Sequence, residues 1–148
     1  MTVEGERRFA AAQDTVWAVL NDPERLARAM PGVESFEVHD DAHWTAHVKI
    51  PLGLGALRMT VAMEKTDVQP PDYARLAAKG QGVGALMHME TSFHLSPTED
   101  GTRMRWHADV RILGAVGSLG HRVLEPIVNQ QIEHVLGALD AEVTAASV

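Results

Sequence analysis

Six successive segments read as strands, several with an apolar residue at every second position, and a segment from about Ala115 to Ala146 then places apolar residues at helical spacing. Few folds accept that order. In the last segment Leu119, Val123, Leu124, Ile127, Val128, Val135 and Leu139 form one broad arc, with Arg122, Asn129, Glu133 and Asp140 opposite. A helix this one-sided needs an apolar surface to lie on, and the alternating segments supply one. Two features complicate the pairing. Gln131 projects near the middle of the arc, with Gln130 and His134 towards one margin. Pro126 removes a backbone donor and frees the carbonyl of Arg122, so a bend is expected there, and Gly114, Gly117 and Gly120 would let the first turn shift. The bend reads either as ordinary curvature around a sheet or as room left beneath the helix.

Upstream, residues 2–10 read as a strand with Val3, Gly5, Arg7 and Phe9 on one face. Arg7 is out of place there, and an edge strand whose arginine reaches out to water accommodates it. Gln13–Leu20 reads as a short helix. Asp22 then caps a second, Pro23–Ala29, with Pro23 at its first position, and Met30-Pro31-Gly32 ends it. The alternating segments follow: Val33–Asp40, His43–Leu52, Ala56–Val68, Tyr73–Lys79, Leu86–Leu95 and Thr102–Leu113. Gly80, Gly82 and Gly84 read as a loose connection, and Phe93 should fall opposite Trp106 as an aromatic cross-strand pair. Strand, two short helices, six strands and a long helix specify an α+β fold in which a helix covers an antiparallel meander.

The 148 residues are read as one domain, 1–148. A net charge of −7 with scattered Lys and Arg argues against a nucleic-acid partner. No cysteine means no disulfide, thiolate metal site or cysteine nucleophile, which suits a cytoplasmic location. The N-terminal stretch lacks the apolar core of a signal peptide, and no apolar run of 18 residues occurs. Membrane contact is therefore expected to be peripheral or through a partner.

Five of the seven methionines fall on the inward side of the strands: Met59, Met63, Met87, Met89 and Met104 share it with Trp44, Phe93 and Trp106. Methionine repacks readily around apolar partners, so this surface reads either as plain core or as the wall of a small-molecule site. Gln130, Gln131 and His134 on the covering helix favour the site, because buried polar groups need partners. The expected ligand-contacting set is these eight strand residues with Val123, Ile127, Gln130, Gln131 and His134, and Met30, Pro31 and Gly32 stand at the mouth. Catalytic chemistry is not legible. His43 and His47 are about 13 Å apart in a strand, so no metal site is expected. Glu64, Glu90 and Asp109 share the outward side with Arg103, Arg105 and Arg111, and the serines lack a nucleophile-elbow context. Gly80-x-Gly82-x-Gly84 and Gly53-x-Gly55 lack the strand-turn-helix unit of a dinucleotide site.

Gly5-Glu6…Phe9, Val16-Trp17…Leu20…Asp22-Pro23…Leu26 and Met30-Pro31-Gly32-Val33-Glu34, with Gly101-Thr102-Arg103 and Gly120…Arg122, resemble the carbon monoxide dehydrogenase G-subunit (CoxG) family. That family lies in the START/polyketide-cyclase (SRPBCC) superfamily. The resemblance implies a helix-grip fold: a seven-stranded curved antiparallel sheet around a long C-terminal helix and an apolar cavity. It implies an accessory of a molybdenum-containing CO dehydrogenase or related hydroxylase, acting in maturation, membrane recruitment or delivery of a quinone-like acceptor. No cofactor is required on this reading, although a quinone or lipid can be the bound molecule. Two other readings stand beside it: a cyclase- or hydrolase-like enzyme using His134, and a docking protein that needs no ligand. Family members often carry proline where this chain has Ala12, and some have a C-terminal membrane-reaching extension that this sequence does not show.

Overall fold

The computed structural model describes residues 1–52 and 55–147. Strand β1 (Thr2–Phe9) leads into helices α1 (Gln13–Leu20) and α2 (Pro23–Ala29). Six strands follow: β2 (Val33–Asp40), β3 (His43–Pro51), β4 (Ala56–Gln69), β5 (Tyr73–Gly82), β6 (Ala85–Thr98) and β7 (Gly101–Leu113). A 3-10 turn (Gly117–Leu119) precedes the long helix α3 (His121–Ala146). The strands form one antiparallel sheet in the order β1-β7-β6-β5-β4-β3-β2. β1 and β2 thus lie at opposite edges, so α1 and α2 must carry the chain across the sheet's width. They do so on the face that α3 also occupies.

Local chemistry accounts for the boundaries. Asp22 accepts from the Glu24 N–H at 3.0 Å and Pro23 opens α2, as the sequence requires. Gly32 turns the chain into β2 with φ +68°, and a side chain there would overlap the carbonyl of Lys49. The Lys49 N–H donates to the Gly32 carbonyl at 2.9 Å, pinning the turn to β3.

Four expectations are corrected. β5 runs on through Gly80 and Gly82, because their missing side chains make room for neighbours rather than slack, and the turn falls at Val83-Gly84. α3 begins at His121, not near Ala115: Gly114 and Gly117 pack closely on the Gly84 and Ile112 carbonyls, and Gly120 takes φ +84°. Leu119 and Val123, expected under the helix, are 48% and 44% exposed. Phe93 does lie opposite Trp106, but the ring it meets is Trp17 of α1, with centroids 6.1 Å apart. Gly53-x-Gly55 lies partly outside the described residues.

Arg7 is tied inward. Its guanidinium pairs with Asp140, which therefore borders the buried side of α3 instead of opposing it. At the other flank Glu142 accepts from Arg28 Nε at 3.0 Å and Nη2 at 3.2 Å, and Arg25 Nη1 donates to its main-chain carbonyl at 3.2 Å. These bonds, Arg28 first, hold the Glu142 carboxyl below the usual glutamate range. A depressed folded value means the contribution is present above the unfolded pKa of about 4.3 and lost as pH falls through the folded one. Glu142→Gln is expected to lower stability at pH 7 by roughly 1 kcal/mol. Urea denaturation should show the gap to wild type closing by about pH 3.

Candidate functional site

The floor of the candidate site is the inner face of the central strands. β5, in the middle of the sheet, presents Ala74, Leu76, Ala78 and Gly80 inward. Methionines flank this mostly small stripe on both sides. Met63, Ala78 and Met89 form one cross-strand row, and Val61, Gly80 and Met87 the next. Met59 lies over Gly80, its Cε 2.6 Å from where a Cβ would stand. Trp44, opposite Met63, is 1% exposed. The space above the small residues is thus occupied by flexible thioether chains.

Two apolar clusters divide the interior. The first joins Leu136, Leu139 and Val143 of α3 to Val16, Val19 and Leu20 of α1 and to Phe93, Leu95 and Met104 of the sheet. Trp106, Ile132 and Val135 pack against it. The second contains Trp44, Val48, Leu57, Met59, Val61, Met63 and Leu76, with Ala27 of α2. Among the described residues it includes none from α3. Its margin is a set of half-buried apolar side chains, among them Met30, Phe36, Ile50, Met87 and Met89. The N-terminal half of α3 is correspondingly less buried: only Leu124 is fully enclosed there, and Ile127, Val128 and Gln131 are half-buried.

The expected strand residues therefore converge on one face, with Phe93, Met104 and Trp106 in or against the first cluster and the others in or against the second. The helix contributes less than expected. Gln130 and His134 are exposed, and Val123 is mostly so, which leaves Gln131 and Ile127 as the inward groups. The reason is that α1 and α2 pack on the C-terminal half of α3 and draw its buried arc towards Leu136, Leu139 and Val143. At the expected mouth segment, Met30 and Pro31 are half-buried and Gly32 is anchored to β3. Two shallow surface depressions, of about 440 and 360 Å³, lie on the outer face of the sheet.

Some polar groups on the inner face have partners. Lys65 Nζ donates to the Asn21 carbonyl at 2.5 Å and Oδ1 at 2.8 Å, and burial pushes its pKa down. Thr102, fully buried, donates to the Ala11 carbonyl at 2.7 Å, which gives the Gly101-Thr102 pair a structural reason. Nε1 of Trp44, Oγ1 of Thr91 and Nε1 of Trp106 are buried with no protein partner among the described residues. Thr91 has inward parity on β6, but a lone threonine among apolar neighbours gives no sequence signal of its own. No cluster of three or more His, Asp or Glu suited to a metal occurs among the described residues. Gly5 shapes the wall: the Trp106 indole lies over it, with Cζ2 2.8 Å from a Cβ position. Gly5→Val should displace that ring, altering near-UV circular dichroism and costing roughly 1–3 kcal/mol in chemical denaturation.

The family model for the G subunit of carbon monoxide dehydrogenase (CoxG) matches residues 5–144. No curated protein matches the sequence. A conserved protein from Geobacillus kaustophilus superposes with a TM-score of 0.89 at 21% identity, over 100% of this chain and 98% of its own. A START superfamily protein from Mycobacterium smegmatis gives 0.73 at 14% identity, over 97% of each chain. The Zhui aromatase/cyclase from a Streptomyces species gives 0.71 at 18% identity, over 97% of this chain and 93% of its own. At these identities the likenesses establish the fold, a START-type helix on a seven-stranded sheet.

Proposed function

The chain belongs to the CoxG family, named for the G subunit of carbon monoxide dehydrogenase, and from that premise we propose that it is a non-enzymatic carrier of an apolar, quinone- or lipid-like molecule. It would serve a molybdenum-containing CO dehydrogenase or related hydroxylase in the cytoplasm. The observation that carries the reading is the methionine floor of β4–β6, which α3 does not complete. Met59, Met63, Met87 and Met89 fill that space with chains that move at low cost, so a ligand can enter by displacing them. The exposed position of His134 weighs against the enzyme reading. Titration with a short-chain menaquinone analogue, followed by native mass spectrometry, should give one bound molecule per chain. Gly80→Val, which fills the floor, should weaken binding at least roughly tenfold. Absence of affinity for any quinone or lipid would sink the proposal, whereas co-purification with a molybdenum enzyme despite Gly80→Val would favour a docking role.

No helix among the described residues is long and apolar enough to cross a membrane. Peripheral contact has a natural place. Val83 is 95% exposed at the β5–β6 turn, and Leu86, Leu113, Leu119 and Val123 are exposed beside it. Leu86 pairs with Leu113, and the Val116 N–H bonds the Gly84 carbonyl at 2.9 Å, so these residues occupy one end of the molecule. The segments 79–89 and 110–124 contain no Asp or Glu in a chain with 20 of them, yet carry Lys79, Arg111 and Arg122. Aliphatic side chains within a basic frame suit an anionic lipid surface. Co-sedimentation with phosphatidylglycerol vesicles should fall with salt and be lost in Val83→Asp/Leu86→Asp. Binding that ignores both would remove this contact.

A further inference from the structure

The hydrogen-bonding side chains that the sheet turns inward can be followed to their partners. Arg7 meets Asp140, Lys65 meets Asn21 and Thr102 meets the Ala11 carbonyl. Trp44 Nε1, Thr91 Oγ1 and Trp106 Nε1 remain without a protein partner among the described residues. A buried polar group in that state is destabilising, and most such groups in folded proteins are paired. Thr91 is the clearest case. It stands on β6 between Met89 and Phe93, opposite Leu76 of β5 and Ala108 of β7, so its sheet neighbours on this face are all apolar. Valine has the same shape and would occupy the position without an unpaired hydroxyl.

We infer that Thr91 is a specificity-determining residue of the apolar floor, its hydroxyl donating to an acceptor oxygen of the bound molecule. The available groups narrow the ligand's chemistry. An indole N–H only donates, and a hydroxyl donates as readily as it accepts. The sheet turns no carboxylate to this face, and its one guanidinium, Arg7, is held by Asp140. A neutral molecule with carbonyl or ether oxygens fits this set. A fatty acid would meet two inward cations already engaged, Arg7 by Asp140 and Lys65 by the carbonyl and Oδ1 of Asn21, and an amine would lack a carboxylate acceptor. The inference rests on the carrier reading above, and it moves the polar anchor from the helix, where Gln130 and His134 are exposed, to the floor of the sheet.

Calorimetric titration with menadione and with 2-methylnaphthalene, its hydrocarbon counterpart, separates the possibilities. Wild type should prefer menadione. Thr91→Val should lower menadione affinity about tenfold while changing that for 2-methylnaphthalene by less than roughly twofold. Thr91→Ser, which keeps the hydroxyl, should retain the preference. The free Thr91→Val protein should melt no lower than wild type, as expected on relieving an unpaired buried group. Equal weakening of both probes in Thr91→Val, equal loss in Thr91→Ser, or no preference in wild type would overturn the anchor while leaving the carrier reading standing. Failure of wild type to bind either probe would overturn both.

Discussion

The interior depends on how the C-terminal half of α3 is buried. Leu136, Leu139 and Val143 close against α1 and against Phe93, Leu95 and Met104, forming a continuous apolar cluster. Removing such side chains from water contributes on the order of 25 cal/mol per Å² of apolar surface. The Arg7–Asp140 and Arg25/Arg28–Glu142 pairs flank that contact and orient the helix more than they stabilise it. With the C-terminal half committed to α1 and α2, the N-terminal half has less surface to cover. The methionine-lined part of the sheet is left to pack on itself and on α2.

This division separates a rigid part of the molecule from an adaptable one. The first cluster is built around a Trp17–Phe93 contact, branched aliphatics and a fully buried, bonded Thr102. The second rests on small residues of β5 covered by four methionines. Thioether chains have three rotatable bonds and no branched carbon, so rearranging them costs less than rearranging valine or isoleucine. The carrier proposed above would use that adaptability to fill its own floor when empty. The Thr91 hydroxyl and two indole N–H groups, unpaired among the described residues, add hydrogen-bonding capacity to that face.

Charge is organised as well. The outer face of the sheet interleaves carboxylates with arginines, lysines and histidines, while the β5–β6 end and the lead into α3 carry no carboxylate. The same end holds most of the exposed Val and Leu side chains.

The order of elements was legible in the residues alone. Period-two alternation through Trp44–Ile50, Leu57–Met63 and Met104–Ile112, Asp22-Pro23 at a helix start, and Pro31-Gly32 at its end are local signals with local causes. Parity also placed the expected methionine and aromatic side chains on one face, since it decides which face a side chain takes, but Gly80 read as part of a loose connection and is instead a residue of β5. What the sequence could not determine is which part of an amphipathic arc finds a partner. Val123, Gln130 and His134 had the right spacing but are exposed, because α1 and α2, returning across the sheet from distant edges, engage the other half of α3. Only the tertiary structure tied Arg7 to Asp140, turned Phe93 to Trp17, and left Thr91 without a partner. Each of these depends on contacts between segments far apart in the chain, and periodicity carries no information about them.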